Sequence, residues 1–565
     1  MISVLGRKVY IKSQIQDFYD TEDFYSAVFN TLLSLRNIKL EDLESKLKNI
    51  PSFELLPNIE SAVEKLVKAI KNKERIILYG DYDVDGVTST TIMYDFLKQI
   101  GANVTPVLPN RVSGYGLSKD LVDLFSKYSN LVLTLDNGTT ATEEIRYAKE
   151  KYNMDFIILD HHRINEESED QDRKAIIVNP NLEEDNPLKG ICTAGLSFYM
   201  VGALRRALNI DFDIKKYLDL VAIGTIADVM PINPLNRVLI SKGLELINKI
   251  KDMPFDTATE IGKAGMKALI NYITRTENGQ AKLITAKDIG FSIAPRINAA
   301  GRIKKPIIAM KLLAEKDYER AKILATDLDR LNQDRRKISN SIFREAYELA
   351  AQTDDDFIVL GKTTWHHGVL GIVAGRLSNK LKKPTGIFYI NNNYAVGSVR
   401  SVEGLDVHKL LSNVSYMFDK WGGHAGAAGI TIKKEYFEAF KRKINDLLKK
   451  ESFEVDRVLE VDLELPLRKV YSSNGVDKNM SKIVERLSPY GELNPEPIFI
   501  SQDITISSIS SRGVGVRIKS SDRGKEIELN CFEEELFVKL KPGQRLKAIY
   551  NIDSYGINMI DAVFC

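Results

Sequence analysis

Three aspartates alternate within five residues of the segment ILYGDYDVDGVTST, residues 77–90, and a glycine follows the third. The spacing D-x-D-x-D-G also begins the calcium-binding loop of an EF-hand, which needs a bidentate glutamate at its twelfth position. Counted from Asp81, the twelfth residue is Ile92, and the preceding RIILYG is typical of a buried strand. The sequence therefore argues against a calcium sensor. It predicts a metal-binding loop between a strand and a helix that begins at about Thr88.

Further chemically active residues follow other predicted strands. Asp136 ends the run LVLTLD, and Asp160, His161 and His162 follow the run DFIIL. From residue 75 onward, short apolar strands alternate with amphipathic helices, which is typical of a parallel sheet covered by helices on both faces. Ligands of such sheets bind beyond the carboxyl ends of the strands. We therefore expect these clusters to converge at one edge of the sheet.

Carboxylates with one imidazole form a donor set that suits Mn²⁺ or Mg²⁺ better than zinc. The candidate metal ligands are Asp81, Asp83, Asp85, Asp136, His161 and Asp228. Singly, Asp136 could be a turn former and Asp228 a helix-end residue. Jointly they indicate metal binding, because carboxylates gathered without a cation repel one another. Two ions roughly 3.5–4 Å apart are the usual device for phosphoester cleavage, and Asp136 is the expected bridge between them.

Composition indicates a soluble globular protein of 565 residues, 44% hydrophobic and 28% charged, with three or four domains expected. The 79 basic and 77 acidic residues give a net charge of +2, so no overall positive field indicates a polyanionic partner. A binding groove can still be locally basic. Three widely spaced cysteines and the lack of a long apolar stretch predict a cytoplasmic protein without membrane association.

The order of apolar patterns predicts several regions. Residues 455–565 contain short strands separated by glycine and serine, typical of a small β-barrel such as an OB-fold. The predicted regions are a helical N-terminal region (1–60), a parallel-sheet domain (61–315), a long charged connecting helix (316–350), a smaller α/β domain (351–450) and the C-terminal barrel (455–565). The connecting helix could be a solvated spacer or could contact nucleic acid.

Several motifs resemble those of a known superfamily. GDYDVDGVTS, TLDNGT, LDHH and GTIADV look like the four ordered motifs of the DHH phosphoesterases. NRVSGYGL, FSIAPRINAAGRI, WHHGVLGIVAGRL, GSVRS, GGHAGAAG and LSPYGELNPEPIF are similar to segments of the RecJ family of single-stranded-DNA-specific exonucleases. The similarity runs in order from about residue 70 to 500. It implies a DHH domain, a DHH-associated domain and an OB-fold domain in the three larger regions.

The resemblance implies a two-metal enzyme that hydrolyses single-stranded DNA from its 5′ end to 5′-mononucleotides, in DNA repair and recombination. The positions that match the family's metal ligands are Asp83, Asp85, Asp136, His161 and Asp228. Asp81 is either a further ligand or a group that supports the ligands. His162 matches the residue that contacts the scissile phosphate. Together with Asp136 and Asp160 it forms the expected catalytic set.

Other matched positions are expected to hold the strand. The candidates for anchoring a 5′-terminal phosphate are Arg111, Arg296, Ser398 and Arg400. Arginine suits this role because its planar fork meets phosphate oxygens in pairs, although a structural salt bridge is an alternative for each one. Tyr115 could stack on a base or pack in a turn. The segment GGHAGAAG is expected to bring Gly422, Gly423 and His424 against the substrate backbone.

Three positions depart from the family pattern. Thr193 lies in CTAG where glycine is common, GRIKKP lacks a frequent acidic residue after its arginine, and Leu493 replaces a usual glycine. None of the three is expected to touch a metal ligand. Loop geometry and strand affinity are the properties that these departures put in question.

Two other functions remain open on the sequence alone. One is a phosphodiesterase of short oligonucleotides or cyclic dinucleotides, although such relatives generally stop after the DHH-associated domain. The other is a catalytically silent strand-binding scaffold, although such relatives usually lose metal ligands. The expected partners are single-stranded DNA and, from the resemblance, a single-strand-binding protein and a helicase. The default oligomeric state is a monomer.

Overall fold

The computed structural model describes residues 1–44, 46–110, 116–164, 175–273, 283–450, 457–472, 475–513, 515–553 and 556–565. The strands are β1 (Lys8–Ser13), β2 (Arg75–Gly80), β3 (Asn103–Val107), β4 (Leu131–Leu135), β5 (Asp155–Leu159), β6 (Ala175–Val178), β7 (Ile358–Lys362), β8 (Thr385–Ile390), β9 (Tyr394–Arg400), β10 (Phe418–His424), β11 (Ala427–Lys433), β12 (Val458–Glu464), β13 (Tyr471–Ser472), β14 (Gly475–Val476), β15 (Phe499–Arg512), β16 (Gly515–Asp522), β17 (Lys525–Cys531), β18 (Arg545–Asp553) and β19 (Gly556–Phe564).

The α-helices follow the same chain order. They are α1 (Phe24–Leu35), α2 (Leu40–Leu43), α3 (Ile59–Lys71), α4 (Val84–Gln99), α5 (Lys119–Phe125), α6 (Thr142–Tyr152), α7 (Thr193–Ala207), α8 (Leu218–Ala227), α9 (Pro234–Asp252), α10 (Phe255–Glu260), α11 (Ala264–Ile270), α12 (Ala286–Asp288), α13 (Ala294–Ile303), α14 (Ile307–Ala314), α15 (Tyr318–Ala350), α16 (Leu370–Leu381), α17 (Val407–Ser412), α18 (Phe437–Leu448), α19 (Leu467–Val470), α20 (Lys478–Leu487) and α21 (Glu534–Phe537). None of these described helices is long and apolar enough to cross a membrane.

The first sheet is fully parallel, with the strand order β3-β2-β4-β5-β6. Its strands are the predicted apolar runs, and β4 is buried along its whole length. Ile77, Val132 and Phe156 pack with α5 and α6, while α3, α4 and α7 also contact the sheet. The strand order reverses direction between β2 and β4. The crevice beyond the carboxyl ends of these two strands is therefore the expected ligand position.

The helix after the aspartate loop begins earlier than the predicted Thr88. The side chain of Asp83 accepts a hydrogen bond from the backbone N–H of Gly86, which makes Asp83 the N-cap residue of α4. An aspartate at this position satisfies one of the free N–H groups at the helix start. As a result, Asp85 lies in the first turn of α4 and not in a loop.

The predicted long connecting helix is α15, which has 33 residues. Asp317 caps its N-terminus by accepting a hydrogen bond from the N–H of Arg320. The helix contacts α11, α13, α14 and α16, and it buries alanine and leucine side chains along one side. Because of this burial it is a packed element and not a solvated spacer.

The smaller α/β domain contains a mixed sheet of strand order β10-β11-β9-β8-β7, with β10 at one edge. Strands β7 and β8 are parallel, and the other neighbours are antiparallel. Phe388 and Ile430 pack with α17 and α18, and Ile387 packs with α15 and α16. The sheet is therefore covered on both faces, as in the first domain.

The C-terminal strands form the predicted barrel. The order β15-β16-β17-β19-β18 closes because β15 also pairs with β18. Ile504, Leu529 and Tyr550 lie in its core. The prediction of a C-terminal β-barrel is confirmed.

The prediction that residues 1–60 are helical is wrong for β1. This strand pairs in parallel with β12, from Lys8 opposite Val458 to Ser13 opposite Leu463. The described parts of residues 1–49, 231–238 and 456–565 form one compact unit, and those of 50–230 and 239–455 form a second. The segment KVYIKS contains the β-branched and aromatic residues that favour a strand, but its partner lies about 450 residues later, so the sequence does not identify the sheet that it joins.

Candidate metal centre

The aspartate loop after β2 is compact because glycine residues lie at both of its ends. A Cβ atom on Gly86 would come within 2.5 Å of the carbonyl oxygen of Asp81, and one on Gly80 within 2.9 Å of the carbonyl oxygen of Gly86. The N–H of Asp81 donates to the carbonyl of Leu135 at the end of β4. The loop is thereby held beside the neighbouring strand end, where Asp136 begins.

Asp136 turns away from the direction of β4. Its φ angle is +67°, in the left-handed region that aspartate tolerates better than most residues. Its N–H donates to the carbonyl of Leu159 at the end of β5. The side-chain amide of Asn137 donates to the carbonyls of Tyr79 and Leu135. These bonds hold the turn, and the carboxylate of Asp136 is buried.

Asp160, His161 and His162 lie after the end of β5. In a continuing strand, neighbouring side chains point to opposite faces, but β5 ends at Leu159. The two ring centroids are therefore only 4.7 Å apart. Asp160 Oδ1 accepts a hydrogen bond from the ring Nδ1–H of His162 at 2.7 Å. It also accepts from the backbone N–H groups of His161 and His162. Its Oδ2 accepts the N–H of Thr139.

Asp228 is the C-cap residue of α8. The next residue, Val229, has a φ angle of +55° and its side chain is exposed. A β-branched residue in the left-handed region is unusual and strained, because its Cβ atom crowds the backbone. The helix therefore ends abruptly at the carboxylate that completes the cluster.

These segments bring all six candidate ligands together. The possible ligand atoms form three sets, and the atoms of each set lie within 4.8 Å of one another. The sets are Asp81, Asp83 and Asp136; Asp85, His161 and Asp228; and Asp136, His161 and His162. His161 Nε2 is 3.3 Å from Asp136 Oδ1 and 3.3 Å from Asp228 Oδ2. Asp136 and His161 each occur in two sets, so the sets form one continuous cluster.

Burial and mutual repulsion raise the pKa values of several aspartates in the cluster. Burial, and then the negative charges of neighbouring aspartates, raise the pKa of Asp136 well above its ordinary value. The same causes raise the pKa of Asp228 to about 8. Burial also raises the pKa of Asp85. A bound cation would reverse these shifts, because it stabilises the charged form of each carboxylate.

The pKa values of the two histidines shift in opposite directions. Burial lowers the pKa of His161, which favours the neutral ring that a metal ion requires. Burial would also lower the pKa of His162, but the hydrogen bond and charge of Asp160 outweigh it and raise that pKa to about 9. The Asp160 carboxyl has a lowered pKa, because its bonds to His162 outweigh its burial. Asp160 and His162 therefore form an ion pair.

The donor set fits divalent cations. His161 Nε2 is buried and makes no hydrogen bond to any residue that the structure describes. Carboxylate oxygens surround this nitrogen, so a cation would satisfy both kinds of group at once. Aspartates with one imidazole match the preferences of Mn²⁺ and Mg²⁺.

Sequence reasoning missed the residues that hold the ligands. Asn181 Nδ2 donates to the carbonyl of His161, and Asn179 Nδ2 donates to the carbonyl of His162 and to the hydroxyl of Thr139. The only signal for them is the segment VNPN after the last predicted strand of the sheet. Their positions follow from β6, which lies next to β5.

The expectation that Thr193 is remote from the metal ligands is wrong. Its N–H donates to Asp85 Oδ2 at 2.7 Å, and its hydroxyl donates to Asp136 Oδ1 at 3.2 Å. Leu493, another departure from the family pattern, has a φ angle of +62°. A glycine there would adopt that conformation without strain.

The predicted phosphate anchors are only partly assembled by the described residues. Arg400 Nη1 donates to Ser398 Oγ at 2.8 Å, so these two lie together on β9. Arg296 Nε donates to Asp329 Oδ1 at 2.9 Å, which is the structural salt bridge left open by the sequence. Arg111 and Tyr115 lie outside the described residues.

Gly422, Gly423 and His424 lie on the edge strand β10 and are exposed. A Cβ atom on Gly423 would overlap the carbonyl oxygen of Ala427, so this glycine permits the approach of β11. A Cβ atom on Gly422 would meet nothing within 4 Å. The small residues therefore serve sheet pairing at one position and leave open surface at another.

Comparison with known families assigns the domains. Residues 75–225 match the DHH family N-terminal domain, residues 354–450 the DHHA1 domain and residues 461–558 the RecJ OB domain. The fold predicted from the sequence, with a DHH domain, a DHH-associated domain and an OB-fold, is confirmed.

Curated relatives similar to this chain are named single-stranded-DNA-specific exonuclease RecJ. The protein from Dickeya dadantii is 32% identical over 505 residues, which cover 84% of each chain. The protein from Escherichia coli is 31% identical over 81% of this chain and 80% of its own length. The protein from Bacillus subtilis is 31% identical over 87% of this chain, which spans only 61% of that relative's length.

Two crystal structures of RecJ from Thermus thermophilus are also similar. The complex with Mn²⁺ has a TM-score of 0.80 at 26% identity and covers 98% of this chain and 79% of its own. The complex with Mg²⁺ has a TM-score of 0.74 at 25% identity, covering 99% and 78%. From the three matching domains, the fold and the identity over most of its length, this chain belongs to the RecJ family of DHH-domain proteins.

Proposed function

We propose that this protein is a two-metal 5′→3′ exonuclease that hydrolyses single-stranded DNA to 5′-mononucleotides in DNA repair and recombination. The observation that carries the proposal is the continuous cluster of carboxylates and His161 beyond β2 and β4. The relatives' names, single-stranded-DNA-specific exonuclease RecJ, supply the substrate class. The T. thermophilus complexes with Mn²⁺ and Mg²⁺ support the choice of cation.

The proposed ligands of the two cations are Asp81, Asp83, Asp85, Asp136, His161 and Asp228. Asp136 is the proposed shared ligand, because it belongs to two of the three sets and its carboxylate offers two oxygens, whereas His161 offers one ring nitrogen to both of its sets. Cations held there would lower the pKa of the attacking water and offset negative charge on the phosphate oxygens.

His162 is the proposed contact to the scissile phosphate. Its Nδ1–H is held by Asp160, so the orientation of the ring is fixed. The charge of Asp160 keeps the ring protonated at neutral pH. Asp160 therefore acts through His162 and not on the substrate.

Ser398 and Arg400 are the proposed anchor for a 5′-terminal phosphate. A Cβ atom on Gly371, in the first turn of α16, would come within 3.0 Å of Ser398 Oγ and 2.9 Å of Arg400 Nη2. An anion at this place would also lie at the N-terminal end of α16, where the helix dipole favours negative charge. Arg111, Arg296 and Tyr115 remain proposed contacts of the strand, as do Gly422, Gly423 and His424 on the exposed edge strand.

The exonuclease proposal is tested with Mn²⁺ and a 5′-phosphorylated oligonucleotide labelled at its 3′ end. We expect labelled products that shorten stepwise from the 5′ end, and none when EDTA replaces Mn²⁺. An intact long strand beside hydrolysed dinucleotides would favour the short-oligonucleotide phosphodiesterase. A strand that is bound but uncut would favour the scaffold.

The cellular setting is proposed on chemical grounds. A single-stranded substrate has to be unwound and kept unpaired, so a helicase and a single-strand-binding protein are the proposed partners. We propose a cytoplasmic monomer with the domain limits predicted from the sequence. The elution volume on a sizing column tests the monomer, limited proteolysis tests the domain limits, and pull-down with each partner tests the interactions.

A further inference from the structure

We propose that Thr193 is a positioning residue that holds Asp85 and Asp136 in register and thereby sets the affinity for both cations. The inference rests on the proposed function, because it concerns the proposed metal ligands. It goes beyond that function because it assigns a role to a residue that has no place among those ligands.

Asp85 is held at both of its carboxylate oxygens by the start of α7. Oδ2 accepts the N–H of Thr193 at 2.7 Å, and Oδ1 accepts the N–H of Ala194 at 2.8 Å. The N-cap residue of α7, Cys192, makes no side-chain bond to these groups. A helix N-terminus leaves such N–H groups unsatisfied, so Asp85 supplies the cap from another helix.

This arrangement fixes the direction in which Asp85 can bind a cation. Each carboxylate oxygen has two lone pairs, and one on each oxygen is used by a backbone N–H. The carboxylate therefore cannot rotate without breaking two buried hydrogen bonds. Gly224 makes room for it, since a Cβ atom there would lie 2.9 Å from Asp85 Oδ1.

The hydroxyl of Thr193 also restrains a second proposed ligand, Asp136. It donates to Asp136 Oδ1 at 3.2 Å, and Thr193 is fully buried. Asp85 belongs to the ligand set with His161, whereas Asp136 also belongs to the set with Asp81. One residue thus contacts a member of each set.

The physical consequence concerns metal affinity. Two buried carboxylates repel each other, and a donor placed between them limits how far they move apart before a cation binds. Groups that orient metal ligands change affinity roughly 10–100-fold when they are removed. A threonine that only filled space would give no such change when a side chain of equal shape replaced it.

The main comparison in the test is among three variants of α7. Thr193→Val removes the hydroxyl and keeps the shape, and Thr193→Ser keeps the hydroxyl. Ser197→Ala is the matched control, because the buried hydroxyl of Ser197 makes no hydrogen bond to a described residue. Mn²⁺ binding is measured by calorimetry, and the spin-coupled signal of neighbouring Mn²⁺ ions by electron paramagnetic resonance.

We expect Thr193→Val to raise the Kd for Mn²⁺ roughly 10–100-fold and to reduce the spin-coupled signal. Thr193→Ser and Ser197→Ala should stay within about threefold of the wild type. Thr193→Pro should bind still more weakly, because it also removes the N–H while the first helical position tolerates proline. Thermal unfolding in EDTA checks that each variant is folded, and Thr193→Ala repeats the comparison if valine disturbs packing.

Several results would overturn the inference. Equal Mn²⁺ affinity of Thr193→Val and Ser197→Ala would do so, as would a Thr193→Ser variant that binds as weakly as Thr193→Val. If the wild type binds Mn²⁺ and degrades strands in these cases, the proposed function stands and only the inference fails. A wild type that binds no Mn²⁺ would overturn both.

Discussion

Asp136 illustrates how a single residue depends on its backbone. Its left-handed conformation costs a non-glycine residue roughly 1–2 kcal/mol, although aspartate adopts it more readily than most. The conformation directs the carboxylate toward His161 Nε2 and the Thr193 hydroxyl. Strain of this kind is retained where surrounding contacts hold the residue in place.

Replacing the shared ligand tests the metal assignment. We expect Asp136→Ala to reduce strand hydrolysis roughly 10²–10³-fold or more, because electrostatic groups at a reacting centre have effects of this size. The measurement is the initial rate on the 3′-labelled oligonucleotide. Asp120→Ala, which removes an exposed carboxylate in the first turn of α5, is the control. Turnover close to the wild type in Asp136→Ala would show that it is not the shared ligand.

The ion pair of His162 and Asp160 predicts a pH dependence of the metal-free protein. The pKa of His162 is raised from 6.5 to about 9, so the stabilisation from the pair is fully present below pH 6.5 and is lost as pH rises through about 9. In EDTA, a ¹H–¹⁵N titration should give this midpoint. Asp160→Asn should lower this midpoint, because burial remains while the hydrogen bond and charge of Asp160 are gone, although the charges of Asp228 and Asp83 still raise the pKa. A midpoint unchanged by the substitution contradicts the pairing.

The proposed role of Arg400 predicts that strands with a phosphorylated 5′ end are preferred over unphosphorylated ones. Hydrogen bonds to charged groups contribute about 1.5–3 kcal/mol, so Arg400→Ala should reduce the kcat/KM ratio of phosphorylated to unphosphorylated strands roughly 10–100-fold. Arg376→Ala is the control, since Arg376 bonds Asn340 and lies over the ring of Phe343. The same ratio before and after the Arg400 substitution would count against the anchor.

At the scale of elements, three helices meet around Asp85. Helix α4 carries the aspartate, the aspartate caps the N-terminus of α7, and α8 passes closely enough that only glycine fits at position 224. A Cβ atom there would lie 2.7 Å from Ala194 Cβ and 2.8 Å from Thr88 Oγ1. The close packing of these helices therefore also fixes the position of the Asp85 carboxylate.

Gly224→Ala tests this packing. We expect it to destabilise the fold by about 1–3 kcal/mol through overpacking and to weaken Mn²⁺ binding. Gly202→Ala in α7 is the control, because its Cβ atom would have its nearest neighbour at 3.6 Å. Helix propensity favours alanine over glycine by roughly 1 kcal/mol, so the control should be neutral or more stable. Urea unfolding and calorimetry measure the two effects, and equal behaviour of both variants contradicts the assignment.

At the scale of the whole molecule, the N-terminal segment belongs to the core of the C-terminal barrel. Phe24, Val28 and Leu32 of α1 are buried in one cluster with Leu463 and Phe499. The two ends of the chain therefore form one compact unit, and β1 extends its sheet beyond the barrel strands.

Phe24→Ala is expected to loosen the distant barrel. Truncating a buried phenylalanine costs about 3–5 kcal/mol, so hydrogen exchange should quicken in β15–β19 while β2–β6 keep their protection. Phe18→Ala in the same segment is the control, because Phe18 is 42% exposed. Mn²⁺ binding should be unchanged in both. Unaltered hydrogen-exchange protection of the barrel in Phe24→Ala would show that the N-terminal segment does not stabilise the barrel core.

The amino-acid sequence by itself determined the parallel sheet, the barrel and the rim at which the acids meet. Apolar runs bounded by turns are local patterns, and the carboxyl ends of parallel strands always share one edge. The order of the motifs also indicated the family. These inferences needed no knowledge of which side chains touch.

Only the tertiary structure decided the contacts between segments far apart in the chain. Thr193 meets Asp85 across 108 positions, and β1 meets β12 across about 450. The early start of α4 and the close histidine rings likewise depend on where neighbouring elements end. Such contacts follow from how helices and strands pack in three dimensions, which the local pattern of residue types does not encode.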